Sequence, residues 1–238
     1  MLKVESIDVA YGEIRALKSV GLEVGRGEIV TLLGNNGAGK TTTLKTISGL
    51  LHPTQGSITL EDESLVGVPP HAIVARGVAH VPEGRRIFNR LSVRENLMMG
   101  AYLRSDGKIT ADLDRVFALF PRLAERIAQV AGTLSGGEQQ MLAIGRALVT
   151  NPKLLIMDEP SEGLAPTVIE MLIETFRKLE QEGLRILLIE QNLGVATSLA
   201  ERQLIMVGGE IAVETTAAQL GGDPELQRRY LGVEPVAR

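Results

Sequence analysis

The segment that most constrains the fold of this chain is residues 34–41, which fits the pattern G-x-x-x-x-G-K-[ST] at every fixed position. A continuous apolar run, residues 29–33, precedes the segment, as is typical of a strand buried on both faces. Residues 41–48 after it have the character of a helix. The pattern therefore predicts a buried strand, a glycine-rich loop and a helix in direct succession.

Such a loop binds phosphate for physical reasons. Glycine lets the backbone curl so that successive N–H groups converge on one anion. The positive end of the following helix points at the same anion. Lys40 adds a charge, and the Thr41 hydroxyl suits magnesium, which prefers oxygen ligands. An accidental glycine-rich turn is the alternative. We predict an ATP site formed by Gly34, Asn35, Asn36, Gly37, Ala38, Gly39, Lys40, Thr41 and Thr42.

The order of the remaining elements predicts an α/β fold. Apolar runs at 154–157 and 186–189 flank a helical stretch at 166–182, a β-α-β pattern that indicates a parallel sheet. We expect a P-loop NTPase core with a mostly parallel sheet, an N-terminal antiparallel β subdomain and a helical insert. The predicted boundaries lie within one domain, 1–238. They assign residues 1–88 and 151–238 to the core and residues 89–150 to the helical subdomain.

Two acids follow the apolar run at 154–157. Ligands bind at the carboxyl ends of parallel strands, so we expect Asp158 to lie beside Thr41 and to hold magnesium through water. Glu159, one residue later, should point elsewhere, toward a water molecule that attacks phosphate. In isolation, the pair would more simply be a solvated strand end before the turn at Pro160.

A second glycine cluster, residues 134–140, precedes a helical segment. Ser135 is the expected N-cap, and Glu138 three residues later completes a capping box. From spacing alone, this helix terminus either binds an anion or is merely a helix cap.

Together, LSGGEQQ, GNNGAGKT and LLIMDEP make nearly the whole chain resemble the ATP-binding cassette (ABC) subunits of transporters. The resemblance implies two cassettes paired head to tail. Each ATP would then lie between one loop 34–42 and the partner's glycine cluster, contacted by Ser135, Gly136 and Gly137. It also implies that Tyr11 stacks on adenine. The alternative for Tyr11 is a half-buried strand aromatic.

Three positions depart from the usual pattern of this family. Glu83 replaces a glutamine near the metal, where its carboxylate can still approach magnesium but adds negative charge. Gln191 replaces a histidine, and its amide can hydrogen-bond phosphate or water but cannot become cationic. Ala165 stands close to where an aspartate is usual. The catalytic residues implied are Glu159 and Gln191, and the metal ligands are Thr41, Asp158 and Glu83.

These departures, with VPEGRRIF, SVRENL and LLIEQN, make the chain similar to the second ATPase subunit of branched-chain amino acid importers. That resemblance implies a heterodimer with a related ATPase, although a homodimer is possible in isolation. It also implies two membrane permease subunits, an indirect periplasmic binding protein, and a position at the cytoplasmic face of the inner membrane.

Composition narrows the remaining classes of function. The net charge is −4, which gives no support to nucleic-acid binding, and the chain has no cysteine, which excludes thiolate chemistry. No secretory signal or membrane-spanning run is expected. Two alternative functions remain: a soluble ABC-type ATPase acting on nucleic acid or ribosomes, and a P-loop kinase or GTPase. The glycine cluster and the absence of an N-K-x-D motif disfavour the latter.

Overall fold

A computed structural model describes residues 1–232 of the 238-residue chain, so the last six residues of the predicted core lie outside the described part. The strands are β1 (Leu2–Tyr11), β2 (Ile14–Val24), β3 (Ile29–Leu33), β4 (Gln55–Leu60), β5 (Glu63–Ser64), β6 (Val78–Val81), β7 (Leu154–Asp158), β8 (Arg185–Ile189), β9 (Arg202–Val207) and β10 (Glu210–Thr216). The helices are α1 (Lys40–Ile47), α2 (Pro70–Ala75), α3 (Val93–Gly100), α4 (Ile109–Leu119), α5 (Pro121–Glu125), α6 (Gly136–Leu148), α7 (Pro166–Gln181), α8 (Leu193–Leu199), α9 (Ala217–Gly222) and α10 (Pro224–Leu231), with a 3-10 turn at Ala131–Thr133.

The larger sheet has the strand order β10-β9-β3-β8-β7-β6. Its strands are parallel except for β10, which pairs antiparallel with β9 in a hairpin. Every residue of β3, β7 and β8 is buried, as their continuous apolar runs require. The carboxyl ends of these three neighbouring strands therefore meet at one edge of the sheet.

The smaller sheet is antiparallel, with the order β2-β1-β4-β5. Leu2, Val4 and Ile7 of β1 are buried against the core. The alternation of Leu2 and Val4 shifts before Ile7, where the pairing of β1 with β2 is irregular. These three residues pack in one hydrophobic cluster with Val30 and Ile156 of the larger sheet. The expected mostly parallel sheet and N-terminal antiparallel sheet are both confirmed.

Most of the chain between the sixth and seventh strands is helical, as expected. Leu97 and Leu142 share a continuous hydrophobic cluster with Ala79 and Leu155 of the larger sheet. The helical segment therefore packs directly on the sheet core. The division at 89 and 150 stays a prediction.

Some elements differ from expectation. Apolar residues recur at helical spacing across 106–126, a pattern that predicts one helix, but the stretch forms α4 and α5 because Pro121 starts a new helix at its first position. The alternation at 20–24 predicts a short strand, whereas β2 begins earlier, at Ile14. The short helices α8, α9 and α10 were not anticipated. Within residues 1–232, none of the helices has the length and apolar character needed to span a bilayer.

Candidate functional site

The loop between β3 and α1 has a backbone that only glycine accommodates at two positions. Gly34 has φ +149°, and a Cβ built there would lie 2.3 Å from the Met206 carbonyl oxygen. Gly39 has φ +108°, and a Cβ would lie 2.8 Å from Leu17 Cδ2. By contrast, no atom lies within 4 Å of the Cβ position of Gly37. The loop is thus pressed against the protein at its two ends and open at its middle.

Lys40 begins α1 and is only 5% exposed. Its ammonium group donates hydrogen bonds to the carbonyl oxygens of Gly34 at 2.7 Å and Asn35 at 3.1 Å. Burial lowers the pKa of Lys40, whereas the nearby charges of Glu159 and Asp158 raise it. The loop therefore encloses a positive charge that faces two acids.

Asp158 ends β7 and is 4% exposed. Its Oδ1 atom is buried and has no hydrogen-bond partner within residues 1–232. Burial raises the pKa of Asp158, the Thr41 side chain lowers it, and Glu159 and Glu83 raise it. An unsatisfied buried carboxylate oxygen beside a hydroxyl and a second carboxylate fits a hard divalent cation. These oxygen donors therefore fit magnesium.

Glu159 follows Asp158 in a left-handed conformation, with φ +50°. Its backbone N–H donates to the Ile189 carbonyl at 3.0 Å, which fixes the turn on the end of β8. The Gln191 amide donates to Glu159 Oε1 at 2.5 Å and to Asn36 Oδ1 at 3.2 Å. Gln191 therefore links the glycine-rich loop to the acid that follows β7.

A cavity of about 750 Å³ lies in front of the loop. Many of the residues predicted for the site line it. They are Tyr11, Asn36, Gly37, Ala38, Gly39, Lys40, Thr41, Thr42, Glu83, Glu159 and Gln191. Tyr11 ends β1 with 48% of its surface exposed. Gly34, Asn35 and Asp158 do not line the cavity: Gly34 and Asp158 are buried, and Asn35 is exposed outside it.

The glycine cluster lies apart from this cavity. Ser135 caps α6, and its capping box with Glu138 is confirmed. The Arg85 guanidinium packs against Gly136, and Val168 packs against Gly137. Within one chain the structure does not bring Ser135, Gly136 or Gly137 to the cavity that contains Lys40.

Sequence reasoning did not single out Arg15 or Glu162, which also line the cavity. Arg15 pairs with Asp8 at 2.6 Å, so its charge is already partly compensated. The alternating pattern of β2 gave no signal that Arg15 faces the loop. Ala165 is the N-cap residue of α7 and makes no side-chain cap.

Comparisons with known proteins agree with this geometry. A family model described as ABC transporter matches residues 17–162. The chain is 49% identical to the high-affinity branched-chain amino acid transport ATP-binding protein BraG of Pseudomonas aeruginosa. That alignment covers 98% of this chain and 100% of the relative.

Two solved structures are similar over nearly the whole chain. One is the ADP conformation of an ATP-binding cassette of an ABC transporter, with a TM-score of 0.87 and 26% identity, covering 98% of this chain and 99% of the other. The second is a dimeric ATP-binding cassette in a post-hydrolysis state bound to ADP and phosphate. It has a TM-score of 0.77 and 27% identity over 91% of this chain and 99% of the other. This chain belongs to the ABC transporter family and is one of its ATP-binding, ATP-hydrolysing subunits.

Proposed function

We propose that this chain powers the import of branched-chain, hydrophobic amino acids through partner permease subunits. One observation carries the proposal. A complete loop-and-acid cavity occurs in a chain that is 49% identical, over its full length, to a transport ATPase for these amino acids. The chain would act at the cytoplasmic face of the inner membrane, held there by its permease partners, with a periplasmic binding protein acting indirectly.

The proposed nucleotide site uses each part of the cavity. Backbone N–H groups of residues 34–42 and the Lys40 ammonium bind the phosphates, and Tyr11 stacks on adenine. Thr41 and Asp158 hold Mg²⁺, with Glu83 as a further oxygen ligand. When bound, Mg²⁺ supplies positive charge that neutralises the phosphate oxygens. On binding phosphate, Lys40 exchanges the carbonyls of Gly34 and Asn35 for phosphate oxygens.

In the proposed hydrolysis, Glu159 accepts a hydrogen bond from the attacking water and orients it toward the γ-phosphate. The Gln191 amide holds the Glu159 carboxylate through the contact at 2.5 Å. Because Asn36 accepts from the same amide group, the position of the acid is tied to the position of the phosphate-binding loop.

The glycine cluster would serve a second site. Ser135, Gly136 and Gly137 lie outside the cavity of their own chain, so we propose that they contact the nucleotide of a partner cassette. Dimeric relatives support this arrangement. Glu83, Gln191 and Ala165 depart together from the usual residues, and we therefore propose a heterodimer whose second ATPase carries the histidine.

A groove of about 470 Å³ is the proposed permease contact. Exposed apolar side chains, including Phe88, Met99 and Tyr102, line it. Two buried polar atoms within it, His80 Nε2 and Arg146 Nη1, have no hydrogen-bond partner within residues 1–232. Burial lowers the pKa of His80 to about 4, so that Arg146 is the charged group. We propose that an amphipathic permease helix fills the groove and presents a carboxylate to Arg146.

The function is tested by reconstitution with permease subunits and a binding protein for branched-chain amino acids from the same organism. Vesicles containing the assembly and the binding protein should take up labelled leucine only when ATP is supplied on the cytoplasmic side.

Replacing Tyr102 with aspartate should reduce permease co-purification about tenfold or more, because Tyr102 is 81% exposed in the groove.

Leu50→Asp is the matched control, since Leu50 is also exposed but lies outside the groove. Equal loss of permease with both variants would contradict the groove assignment.

ATPase activity stimulated by nucleic acid or ribosomes, without leucine uptake, would favour the alternative of a soluble ABC-type ATPase.

Replacing Gln191 with histidine tests whether this position limits turnover. A histidine can carry a positive charge toward the γ-phosphate, which glutamine cannot do. We expect the variant to raise the steady-state ATPase rate of the isolated chain severalfold, by about 3- to 10-fold, if one added charge-assisted hydrogen bond forms. An unchanged rate in both the isolated chain and the assembly would mean that Gln191 is not limiting.

A further inference from the structure

A buried acid lies directly behind the proposed catalytic pair. Glu190 follows β8 and is 2% exposed. Its neighbour in the sheet is the end of β7, where Asp158 pairs with Ile189. The loops that leave these two strands contain Glu159 on one side and Gln191 on the other. Glu190 therefore lies at the junction of two functional loops without lining the cavity itself.

The Glu190 carboxylate binds both loops. The Ser161 backbone N–H donates to Oε1 at 3.2 Å, and the Ser161 hydroxyl donates to Oε2 at 2.8 Å. The backbone N–H of Gln191, the next residue, also favours the charged form and so lowers the pKa of Glu190. The carboxylate accepts both hydrogen bonds from Ser161 at full strength only when it carries no proton. Its hydrogen bonds tie the loop between Glu159 and α7 to the turn that carries Gln191.

We propose that Glu190 is a positioning residue for ATP hydrolysis, whose carboxylate keeps the Ser161 loop and the Gln191 turn together so that Gln191 holds Glu159 in place. This inference rests on the proposed roles of Glu159 and Gln191. Ser161 connects Glu190 to the loop after Glu159, and Gln191 connects it back to the Glu159 side chain. Glu190 thus closes a ring of contacts around the reacting acid.

The protonation state of Glu190 should affect catalysis near neutral pH. Burial raises the pKa of Glu190 to about 7, the hydrogen bonds from Ser161 and Gln191 lower it, and the charge of Glu159 raises it. Within residues 1–232, the charge that acts on Glu190 is that of Glu159, and Glu159 in turn acts with Asp158 on Lys40. When Glu190 takes up a proton, one oxygen becomes a donor and accepts from Ser161 more weakly, which loosens the contact between the two loops. Catalysis should therefore weaken as the pH falls through about 7.

The test compares kcat and KM for ATP between about pH 6 and pH 9 in the assembled transporter. The variants are Glu190→Gln, Glu190→Asp and Ser161→Ala. At high pH, Glu190→Gln should lower kcat about tenfold or more with KM nearly unchanged, because a small displacement of a catalytic group slows the reaction strongly. In Glu190→Gln, kcat should no longer fall as the pH is lowered through about 7. In Glu190→Asp, which keeps a titratable carboxyl group, kcat should still fall on the acid side.

The Ser161→Ala variant distinguishes a positioning role of Glu190 from a purely structural one, because only a positioning role predicts a change in the pH at which kcat falls. Removing a hydrogen bond that lowers the pKa of Glu190 should shift the acid-side fall in kcat to higher pH.

The Glu190→Gln variant should lose activity without losing stability. Because the folded-state pKa is raised, the charged Glu190 destabilises the fold as the pH rises above its unfolded value, so the melting temperature at high pH should not fall.

Glu174→Gln is the matched control, since Glu174 is exposed on α7. An unchanged kcat and acid-side fall in Glu190→Gln would overturn the inference. So would a loss of kcat that matches a loss of melting temperature while the wild-type pH profile remains. Glu159→Gln is measured in parallel. Wild-type turnover in that variant would instead show that the proposed site is wrong, and the inference would fail with it.

Discussion

Replacing Glu159 with glutamine should lower the ATPase rate by about 10²- to 10⁴-fold while ATP binding is retained, since this is the usual contribution of a positioned base. Glutamine has almost the same shape but orients water poorly and accepts no proton. The left-handed backbone at this position, φ +50°, is equally available to both residues, so the turn is retained. The measurements are steady-state phosphate release and nucleotide binding by the same preparation.

Glu174→Gln controls for the loss of one carboxylate, because Glu174 lies on the exposed surface of α7. It should hydrolyse ATP at the wild-type rate. If Glu159→Gln also hydrolyses ATP at that rate, Glu159 does not carry the chemistry. Loss of both binding and turnover would indicate that the turn after β7 had been disrupted, and it would leave no support for a selective role in hydrolysis.

Replacing Lys40 with alanine should weaken ATP binding by about 10- to 100-fold, because a charge-assisted hydrogen bond contributes roughly 1.5–3 kcal/mol. Lys40 is buried against the loop, and two acids face it. Without the Lys40 ammonium, one positive charge fewer would offset the repulsion between the phosphates and the carboxylates of Asp158 and Glu159. Titration calorimetry with ATP and Mg²⁺ measures the change directly.

Lys45→Ala is the matched control on the same helix. Lys45 is exposed in the last turn of α1, and its removal changes the net charge equally. Its ATP affinity should remain within about twofold of the wild-type value, because charges in solvent are strongly screened. Equal losses from the two variants would mean that overall charge, and not the loop, determines nucleotide affinity.

The parts of the fold that sequence predicted best are those with a strong local signal. The strand at Ile29–Leu33 was predicted at its observed bounds, because a short run of apolar and β-branched residues is typical of a strand buried on both faces. The capping box at Ser135 was also predicted, since it depends on two residues three positions apart. The helices α8, α9 and α10 have shorter hydrophobic patterns, which give a weaker local signal. They form where they pack over hydrophobic residues of the core.

The contacts that organise the site could not be predicted from local pattern. Gln191 reaches Asn36 across 155 residues of sequence and Glu159 across 32. The role of Glu190 could not be predicted either, because sequence alone does not reveal that its side chain is buried. The separation of Gly136 from the cavity also emerged only from the fold, although the family resemblance had implied that a second chain completes the site.

The most direct measurement is a structure of the Glu159→Gln chain, with its partner ATPase, bound to ATP and Mg²⁺. We expect a triphosphate against residues 34–42 and Lys40, a metal between Thr41 and Asp158, and Ser135–Gly137 facing the γ-phosphate on the partner. A nucleotide bound elsewhere, or a loop whose backbone N–H groups point away from phosphate, would contradict it.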